Sequence, residues 1–399
     1  MLRRTTAAIA LLAIVIAGCS DSRAPSPAVT PASPASDVVT VQPGESIVIG
    51  VSVALSGDQG VVGEDLANAV DLAIADFNRP ILGHAVASQR EDDSCNDAER
   101  ASAAAKTLSS ATNVAGVVGP MCTTGAQAAN DVYESAGVVH ITPSATRNDL
   151  SAQGERYFFR TAWRDDAQAQ AQAAYALGPI SADAAVVIDD GDPYGRTLAD
   201  AFIAAFEAGG GRVLSRERIV RGVTDFAAIG RQIASTEPDV VVFEGFDPEA
   251  ALLAGDLAAG GFGGTFIGPD SLLNLSDFVV AGGEAAEGAI ITGGPVPDEA
   301  FTSRFTETFG HPPATAFVLQ AYDATRVLLT AIETVAREGE SGELVIDREQ
   351  MADALRSQSF AGLTGTIRFD EHGDRAGTSA RESGLSIYRV AGGRFELVE

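Results

Sequence analysis

Loops rich in hydroxyl side chains follow three predicted strands. They read SGDQG at 56–60, CTTG at 122–125 and TPSAT at 142–146, and all three fall on the same edge of one predicted sheet. The first two precede predicted helices, where unpaired backbone N–H groups and a partial positive charge suit a carboxylate. The same serines and threonines could instead cap their own helices. Composition by itself leaves both interpretations open.

Catalytic motifs are missing from the sequence. It contains no GxSxG, HExxH or P-loop motif, and no GxGxxG follows a predicted strand. The four histidines are scattered, without the spacing of metal ligands: His84, His140, His311 and His372. Acidic clusters at 91–93 and 189–190 fit solvated loops better than a cation site. We therefore expect no enzymatic activity, no cofactor and no bound metal.

The body of the chain alternates strand and helix patterns. Residues 47–55 are β-branched and apolar, as in a buried parallel strand. Residues 66–77 place apolar side chains three or four positions apart, on one helical face. Strands at 114–118 and 138–142 and a helix at 125–136 complete a first doubly wound α/β unit.

A second α/β unit begins after Trp163. The patterns predict strands at 184–188, 212–220, 239–243 and 265–268, and helices at 194–208, 225–235 and 248–259. Late helices at 314–337 and 348–357, the second capped by Asp347, and edge-like strands at 365–369 and 385–390 could return to either unit. Two units of similar size indicate a clamshell, with a ligand site between lobes at the carboxyl ends of strands.

The N-terminus has the pattern of an export signal. Two arginines precede an apolar run of about ten residues, too short for the ~20 that span a bilayer. The run ends at Cys19 in IAGC, similar to a bacterial lipobox, although an ordinary secretory signal is the alternative. We expect a signal peptide over 1–18, lipidation at Cys19, and a proline-rich tether over 19–45 that holds an exported body at a membrane surface.

The net charge limits the kinds of partner that the protein can bind, and the cysteine content bears on disulfide formation. The net charge of −27 argues against nucleic acid and anionic lipid. Cys95 and Cys122 remain as an even pair that can oxidise outside the cytoplasm, which favours a structural disulfide over two free thiols.

Eight motifs, in order and with similar spacing, resemble the branched-chain amino-acid (Leu/Ile/Val) substrate-binding proteins of ABC transporters. They are LSG at 55–57 with Gly63, DDSC at 92–95, GPMCTT at 119–124, TPSAT at 142–146, RT at 160–161, DPYG at 192–195, GFDPE at 245–249 and GPD at 268–270. The resemblance implies an α/β, type I periplasmic-binding-protein fold, with two doubly wound lobes joined by a three-strand hinge, and a disulfide between Cys95 and Cys122. It implies an ABC permease as partner.

The resemblance also implies how the parts of the chain divide between the lobes. Lobe 1 would comprise residues 46–163 and 294–356, and lobe 2 residues 164–293 and 357–399.

The resemblance assigns four residues to the two charged ends of an amino-acid ligand. Thr123 and Thr146 would hold the ligand carboxylate through hydroxyls and main-chain N–H groups. The carbonyl of Ser144 would accept a hydrogen bond from the α-ammonium. Asp270 would pair with that ammonium, at a position where the family usually has a glutamate that is one methylene longer.

Tyr194 and Phe246 would close over the ligand from lobe 2. Val62 stands where the family often carries a large aromatic side chain, and Phe246 where a tyrosine is common, so the pocket should be more apolar or roomier. An aliphatic amino acid is the expected ligand. The alternatives are a receptor for an amide, urea or another small polar metabolite, which would leave Asp270 without a cationic partner, and a sensor for a separate signalling chain.

Overall fold

A computed structural model describes residues 38–247, 249–377 and 384–398, except for the side chains of residues 275 and 276. The predicted signal peptide over 1–18, the lipidation site Cys19 and the predicted tether up to residue 37 lie outside the described residues.

Lobe 1 is built around a five-stranded parallel sheet in the order β3-β2-β4-β5-β6. Its first segment comprises β1 (Val38–Val41), β2 (Ile47–Val53), α1 (Gly60–Phe77), β3 (Val86–Asp92), α2 (Ala98–Ser110), β4 (Val114–Val118), α3 (Thr123–Ala136), β5 (His140–Thr142) and β6 (Phe158–Arg160). The central strands β2 and β4 consist of small and β-branched residues, because helices cover both faces of the sheet.

The helix α1 packs on this sheet through the face that its periodicity predicts. Leu66, Val70 and Phe77 are buried in the core of lobe 1. The helix starts close to the end of β2, since a Cβ at Gly63 would lie 1.7 Å from the carbonyl oxygen of Ala54. Glycine is therefore required there for the loop over 54–59 to turn back onto the sheet edge.

Lobe 2 contains a seven-stranded sheet in the order β17-β16-β11-β10-β9-β7-β8. Its first segment comprises α4 (Asp165–Leu177), β7 (Ala184–Asp189), α5 (Pro193–Ala208), β8 (Arg212–Arg218), α6 (Ala227–Ala234), β9 (Val240–Glu244), α7 (Glu249–Ala259), β10 (Thr265–Gly268) and β11 (Ile290–Gly293). These strands are parallel, and α4 and α5 cover one face while α6 and α7 cover the other. Both lobes are thus doubly wound, as predicted.

The chain returns to lobe 1 after β11 and crosses once more near its end. The remaining elements are α8 (Glu299–Phe309), α9 (Val318–Val335), β12 (Arg337–Glu338), β13 (Leu344–Asp347), α10 (Arg348–Ser357), β14 (Phe360–Gly362), β15 (Gly365–Ile367), β16 (Ser386–Ala391) and β17 (Arg394–Leu397). The predicted cap of α10 is confirmed, since Asp347 accepts a hydrogen bond from the backbone N–H of Gln350 at 2.9 Å.

Two predicted boundaries are wrong. Residues 357–399 do not all belong to lobe 2, because Phe360, Ile367 and Phe369 lie in the core of lobe 1 and only β16 and β17 join the lobe 2 sheet. The predicted tether over 19–45 also ends too late. Val38–Val41 pairs with β13 and buries Val39 and Val41, so these residues belong to the folded body.

A buried ion pair ties the crossing segments together. Arg160, at the end of β6, donates from Nε to Asp374 Oδ1 at 2.5 Å, and both side chains are almost fully buried. Ser151 donates to the other carboxylate oxygen at 2.8 Å, and Arg164 lies 3.2 Å from it. A separate contact holds the connection after β11, where the chain returns to lobe 1: the Tyr388 hydroxyl donates to the Gly294 carbonyl at 3.1 Å. These contacts fix the ends of segments that connect the lobes.

The Asp374→Asn variant should be destabilised by about 3–5 kcal/mol, because it leaves the Arg160 guanidinium buried without its counter-charge. Chemical denaturation at neutral pH measures the free energy of unfolding. The control is Glu333→Gln, which breaks an exposed ion pair with Arg79 of 2.6 Å within lobe 1 and should cost less than about 1 kcal/mol. Equal losses in the two variants would contradict the assigned role of Asp374.

Candidate functional site

A cavity lies between the carboxyl ends of the two sheets. Lobe 1 contributes Gln59, Val62, Cys95, Asn96, Met121, Cys122, Thr123, Thr124, Ser144, Thr315 and Phe317, and lobe 2 contributes Asp192, Tyr194, Phe246, Asp247, Asp270, Ser271 and Asn274. The cavity has a volume of about 60 Å³, a few times the ~10–15 Å³ that one water needs. The cavity therefore suits a small solute.

The N-terminus of α3 forms the wall of the cavity on lobe 1. Cys122 precedes the helix and offers no side-chain cap, and Thr123 and Thr124 in the first turn line the cavity. The disulfide between Cys95 and Cys122 joins this helix start to the loop after β3, which confirms the predicted pairing. An uncapped helix N-terminus has free N–H groups and a partial positive charge, so this wall suits an anion.

A network of hydroxyl groups holds the neighbouring loop at Ser144. The Ser144 hydroxyl donates to the Met121 carbonyl at 2.7 Å, and the Thr142 hydroxyl donates to the Pro120 carbonyl at 2.6 Å. The backbone N–H of Ala145 donates to Thr142 Oγ1 at 3.0 Å. These bonds connect the loop after β5 to the loop before α3. Some hydroxyls of the motif therefore position backbone and are not available to a ligand.

Thr146 lies apart from the other predicted ligand-binding residues. It is buried and is not among the residues that line the cavity. Its carbonyl accepts from the Asp165 N–H at 3.0 Å, and its hydroxyl interacts with the Asp165 carboxyl group, whose pKa it lowers against the effect of burial. The Thr146 side chain therefore contacts Asp165 and is not part of the cavity wall.

Tyr194 and Asp270 form the wall of the cavity on lobe 2. Asp192 caps α5 by accepting from the Tyr194 N–H at 2.9 Å, which places the tyrosine ring over the strand ends. The Tyr194 hydroxyl donates to Asp270 Oδ1, which also accepts from the Ser271 N–H at 3.0 Å. The ring of Phe246 lies 5.5 Å from that of Tyr194. These contacts orient the Asp270 carboxylate at the cavity.

Two further carboxyl groups lie beneath Asp270. Glu244 ends β9 and Asp165 begins α4, and both are fully buried. We call Asp165, Glu244 and Asp270 the acidic cluster. Within the described residues no arginine or lysine forms a salt bridge with any of the three; Gln172 hydrogen-bonds to Glu244, and the charge of Arg160 acts on Asp165 from a greater distance. Such a group of buried acids is stable only if protons or another cation reduce its charge.

Burial and mutual repulsion shift the pKa values of these acids upwards. Burial raises the pKa of Asp270 to about 6, against hydrogen bonds from Tyr194 and Gln168 that lower it. Burial, aided by the charge of Asp270, raises the pKa of Asp165 to about 7. Burial and the charges of Asp270 and Asp165 raise the pKa of Glu244 well above its usual range. In the absence of a cation, the cluster therefore favours bound protons.

Apolar side chains complete the cavity. Val62 comes from α1, and Phe317 comes from the segment that returns to lobe 1 just before α9. Phe317 stacks on Trp163 with ring centroids 5.5 Å apart, which holds it in place. Together with Phe246 and Met121, these residues offer an apolar surface for an aliphatic group.

The structure brings together six of the seven residues predicted to bind ligand: Val62, Thr123, Ser144, Tyr194, Phe246 and Asp270. Sequence reasoning missed several others. Asn96 follows the DDSC motif and Asp192 begins the DPYG motif, so both could have been found from the strand ends. Glu244 ends the apolar run VVVFE, where a buried acid is unusual. Thr315 and Phe317 had no local signal, because their place depends on the return of the chain to lobe 1.

Within the described ranges 38–247, 249–377 and 384–398, every helix is too short or too polar to span a membrane. No group of three or more histidine, cysteine or acidic side chains there has an arrangement that could hold a metal ion.

The fold and this cavity are those of a bilobal solute receptor. The chain belongs to the periplasmic binding protein family, which it matches over residues 46–393. Membership implies an extracytoplasmic location. It also agrees with the predicted type I fold, which similar solved structures share.

Relatives cover nearly the whole body of the chain. It is 33% identical over 359 residues to the Leu/Ile/Val-binding protein BraC3 of Rhizobium johnstonii, covering 88% of this chain and 94% of that protein. It is 27% identical over 339 residues to the Leu/Ile/Val-binding protein of Escherichia coli K12, covering 84% and 89%. The solved leucine binding protein LivK of Thermotoga maritima has 26% identity and a TM-score of 0.76, covering 88% of this chain and 98% of that one.

Replacing Asp270 with asparagine should stabilise the ligand-free protein at pH 8 by on the order of 2 kcal/mol. Because the pKa of Asp270 in the folded state is about 6, above its usual 3.8, the folded state binds more protons than the unfolded state between these values. Stability therefore falls as pH rises from about 4 to about 6, and Asp270→Asn removes that part of the fall. Asparagine can still accept from Tyr194 and Ser271.

Urea unfolding of both proteins at pH 4 and pH 8 measures this difference. Asp131→Asn removes an exposed acid of α3 and serves as the control for a change in net charge. A free energy of unfolding that is the same for wild type and Asp270→Asn at pH 8 would show that the carboxylate is not destabilised by burial.

Proposed function

We propose that this chain is the solute-binding protein of an ABC importer and captures a small aliphatic α-amino acid between its lobes. The proposal rests on one observation: the two walls of the cavity carry groups that suit opposite charges. Lobe 1 presents the uncapped N-terminus of α3, and lobe 2 presents the Asp270 carboxylate above two other buried acids. A zwitterion with its carboxylate on lobe 1 and its ammonium on lobe 2 satisfies both.

The ammonium group of an amino acid offsets the buried negative charge of the acidic cluster in lobe 2. The acidic cluster has no salt-bridge partner among the described residues, so a cation bound at Asp270 lowers the cost of ionising it. Tyr194 holds the carboxylate in place for this contact. At lobe 1, the free N–H groups of α3 and the Thr123 side chain at its start supply donors for the carboxylate.

The apolar part of the cavity favours an aliphatic side chain. Val62, Met121, Phe246 and Phe317 offer carbon surface, and the cavity is small. The relatives named above are Leu/Ile/Val-binding proteins, which supports leucine, isoleucine and valine as first choices. No step of covalent chemistry enters this function: the protein binds the solute, closes and hands it unchanged to the permease.

Analogues of leucine test the contribution of each charged group of the ligand separately. L-leucine should raise the thermal midpoint, with ~2.7 kcal/mol of stabilisation at a hundredfold excess over its dissociation constant. 4-Methylpentanoate lacks the ammonium and 3-methylbutylamine lacks the carboxylate. Each should bind much more weakly, because one buried wall then stays unpaired, at about 2–5 kcal/mol. Thermal shift and titration calorimetry at pH 7.5 measure these differences.

Variants connect this selectivity to the two lobes. Asp270→Asn should weaken L-leucine far more than 4-methylpentanoate, and Thr123→Val, in the first turn of α3 at the cavity, should weaken both acids. Thr107→Val, at an exposed position of α2, is the control and should change neither. A thermal shift with urea or a short amide, and none with any α-amino acid, would replace this proposal with a receptor for neutral polar solutes.

We also propose that the mature chain is anchored by a lipid on Cys19, on the strength of the IAGC pattern and the proline-rich stretch that follows it. Expressed with its own signal, the wild-type protein should partition with membranes, and Cys19→Ala should move it to the aqueous fraction. Mass spectrometry of the N-terminal peptide reports the lipid directly. An unmodified N-terminus beyond residue 19 would exclude the anchor and leave an ordinary secretory signal.

A further inference from the structure

Arg221 of lobe 2 contacts lobe 1 across the mouth of the cavity. It follows β8 in the chain, whereas Asp58 lies in the loop between β2 and α1 of lobe 1. Arg221 Nη2 forms an ion pair with Asp58 Oδ2. The side chain of Arg221 is 21% exposed and that of Asp58 57% exposed, so the pair lies at the rim, in contact with solvent.

The same guanidinium contacts residues that line the cavity. Its Cζ lies 4.5 Å from the centroid of the Phe246 ring. The side-chain amide of Asn96, in lobe 1, lies 3.2 Å from both Arg221 Nη1 and Asp192 Oδ2. The orientation that satisfies both has the amide oxygen accepting from Arg221 and the nitrogen donating to Asp192. Asn96 thus forms a second bridge between the lobes.

We propose that Arg221 is a positioning residue that holds the lobes closed over a bound solute and sets its dissociation rate. Arg221 is not among the lining residues, so it acts through Asp58, Asn96 and Phe246 and not by touching the solute. The inference rests on the proposed function only for the identity of that solute. The bridge itself depends on no ligand.

Contacts between lobes change the closing equilibrium because they exist only when the lobes meet. A group that interacts with one of two states shifts the population by its differential free energy. A solvent-exposed ion pair and a guanidinium over an aromatic ring are each weak. Together they predict a change in dissociation rate of about three- to tenfold, which slows release without preventing it.

Arg221 also lies near acids of its own lobe. Its charge lowers the pKa values of Asp190, Asp192 and Asp247 against the effect of their burial. A change at Arg221 alone could therefore disturb lobe 2 without any role in closure. Asp58 belongs to the other lobe, so the coupling between the two residues isolates the contact across the cavity mouth.

The test is a double-mutant cycle on the full-length protein with Arg221→Met, Asp58→Asn and the combined variant. Stopped-flow fluorescence of Trp163, the single tryptophan, which packs on Phe317, gives association and dissociation rates for L-leucine. Arg221→Met should release it about three- to tenfold faster, Asp58→Asn should have a smaller effect in the same direction, and the double variant should release it no faster than Arg221→Met. Arg221→Lys should recover part of the effect, and the effect should shrink in high salt.

Arg79 provides a matched control. It pairs with Glu333 at 2.6 Å and lies 4.5 Å from the centroid of the Phe77 ring, so it makes the same two kinds of contact entirely within lobe 1. Arg79→Met should leave the dissociation rate unchanged. Additive effects of Arg221→Met and Asp58→Asn, or dissociation rates equal to wild type in both, would overturn the proposal.

A second readout needs no ligand. Small-angle X-ray scattering should give a larger radius of gyration for Arg221→Met and Asp58→Asn than for wild type and Arg79→Met. If L-leucine does not bind wild type, the amino-acid proposal fails, and the kinetic cycle is run with whichever solute of the panel binds. If none binds, the scattering decides, and equal radii in all four proteins overturn the role of Arg221.

Discussion

The acidic cluster places three carboxyl groups close together in the interior of lobe 2. Glu244 ends β9, Asp270 follows β10 and Asp165 begins α4, and all three are buried where water does not screen their charges. No hydrophobic packing removes this cost, so lobe 2 needs protons or a cation there. The arrangement is unfavourable for stability alone, and it becomes useful when a cationic group enters from the cavity.

The topology of the two lobes makes this arrangement available to a solute. The parallel strands of each sheet direct their carboxyl ends towards the other lobe, so the loops of both lobes meet at one cavity. Lobe 1 contributes a helix N-terminus held by the Cys95–Cys122 disulfide, and lobe 2 contributes carboxylates. The lobes therefore differ in the sign of the charge that they accept. The proposed recognition of a zwitterion depends on both lobes.

Interactions of different strength serve different purposes in this molecule. The Arg160–Asp374 pair is buried at the crossing segments, where breaking it would leave an isolated charge, so it fixes the chain permanently. The Arg221–Asp58 pair is at the rim in contact with water, so it can form and break as the lobes move. A receptor that must release its cargo needs strong contacts within each rigid part and weak contacts between them.

Most elements and much of the site could be predicted from the amino-acid sequence. The apolar face of α1, the cap at Asp347 and the cysteine pair are properties of neighbouring residues or of composition, and motif order placed six cavity residues from Val62 to Asp270. The sequence did not predict that residues 360–377 return to lobe 1, that β1 joins the folded body, that Phe317 reaches the cavity, or that Arg221 contacts Phe246 and Asp58 at its edge. The reason is physical. Periodicity and capping depend on contacts within a few residues, whereas these placements depend on which distant surfaces bury each other, and no local pattern carries that information.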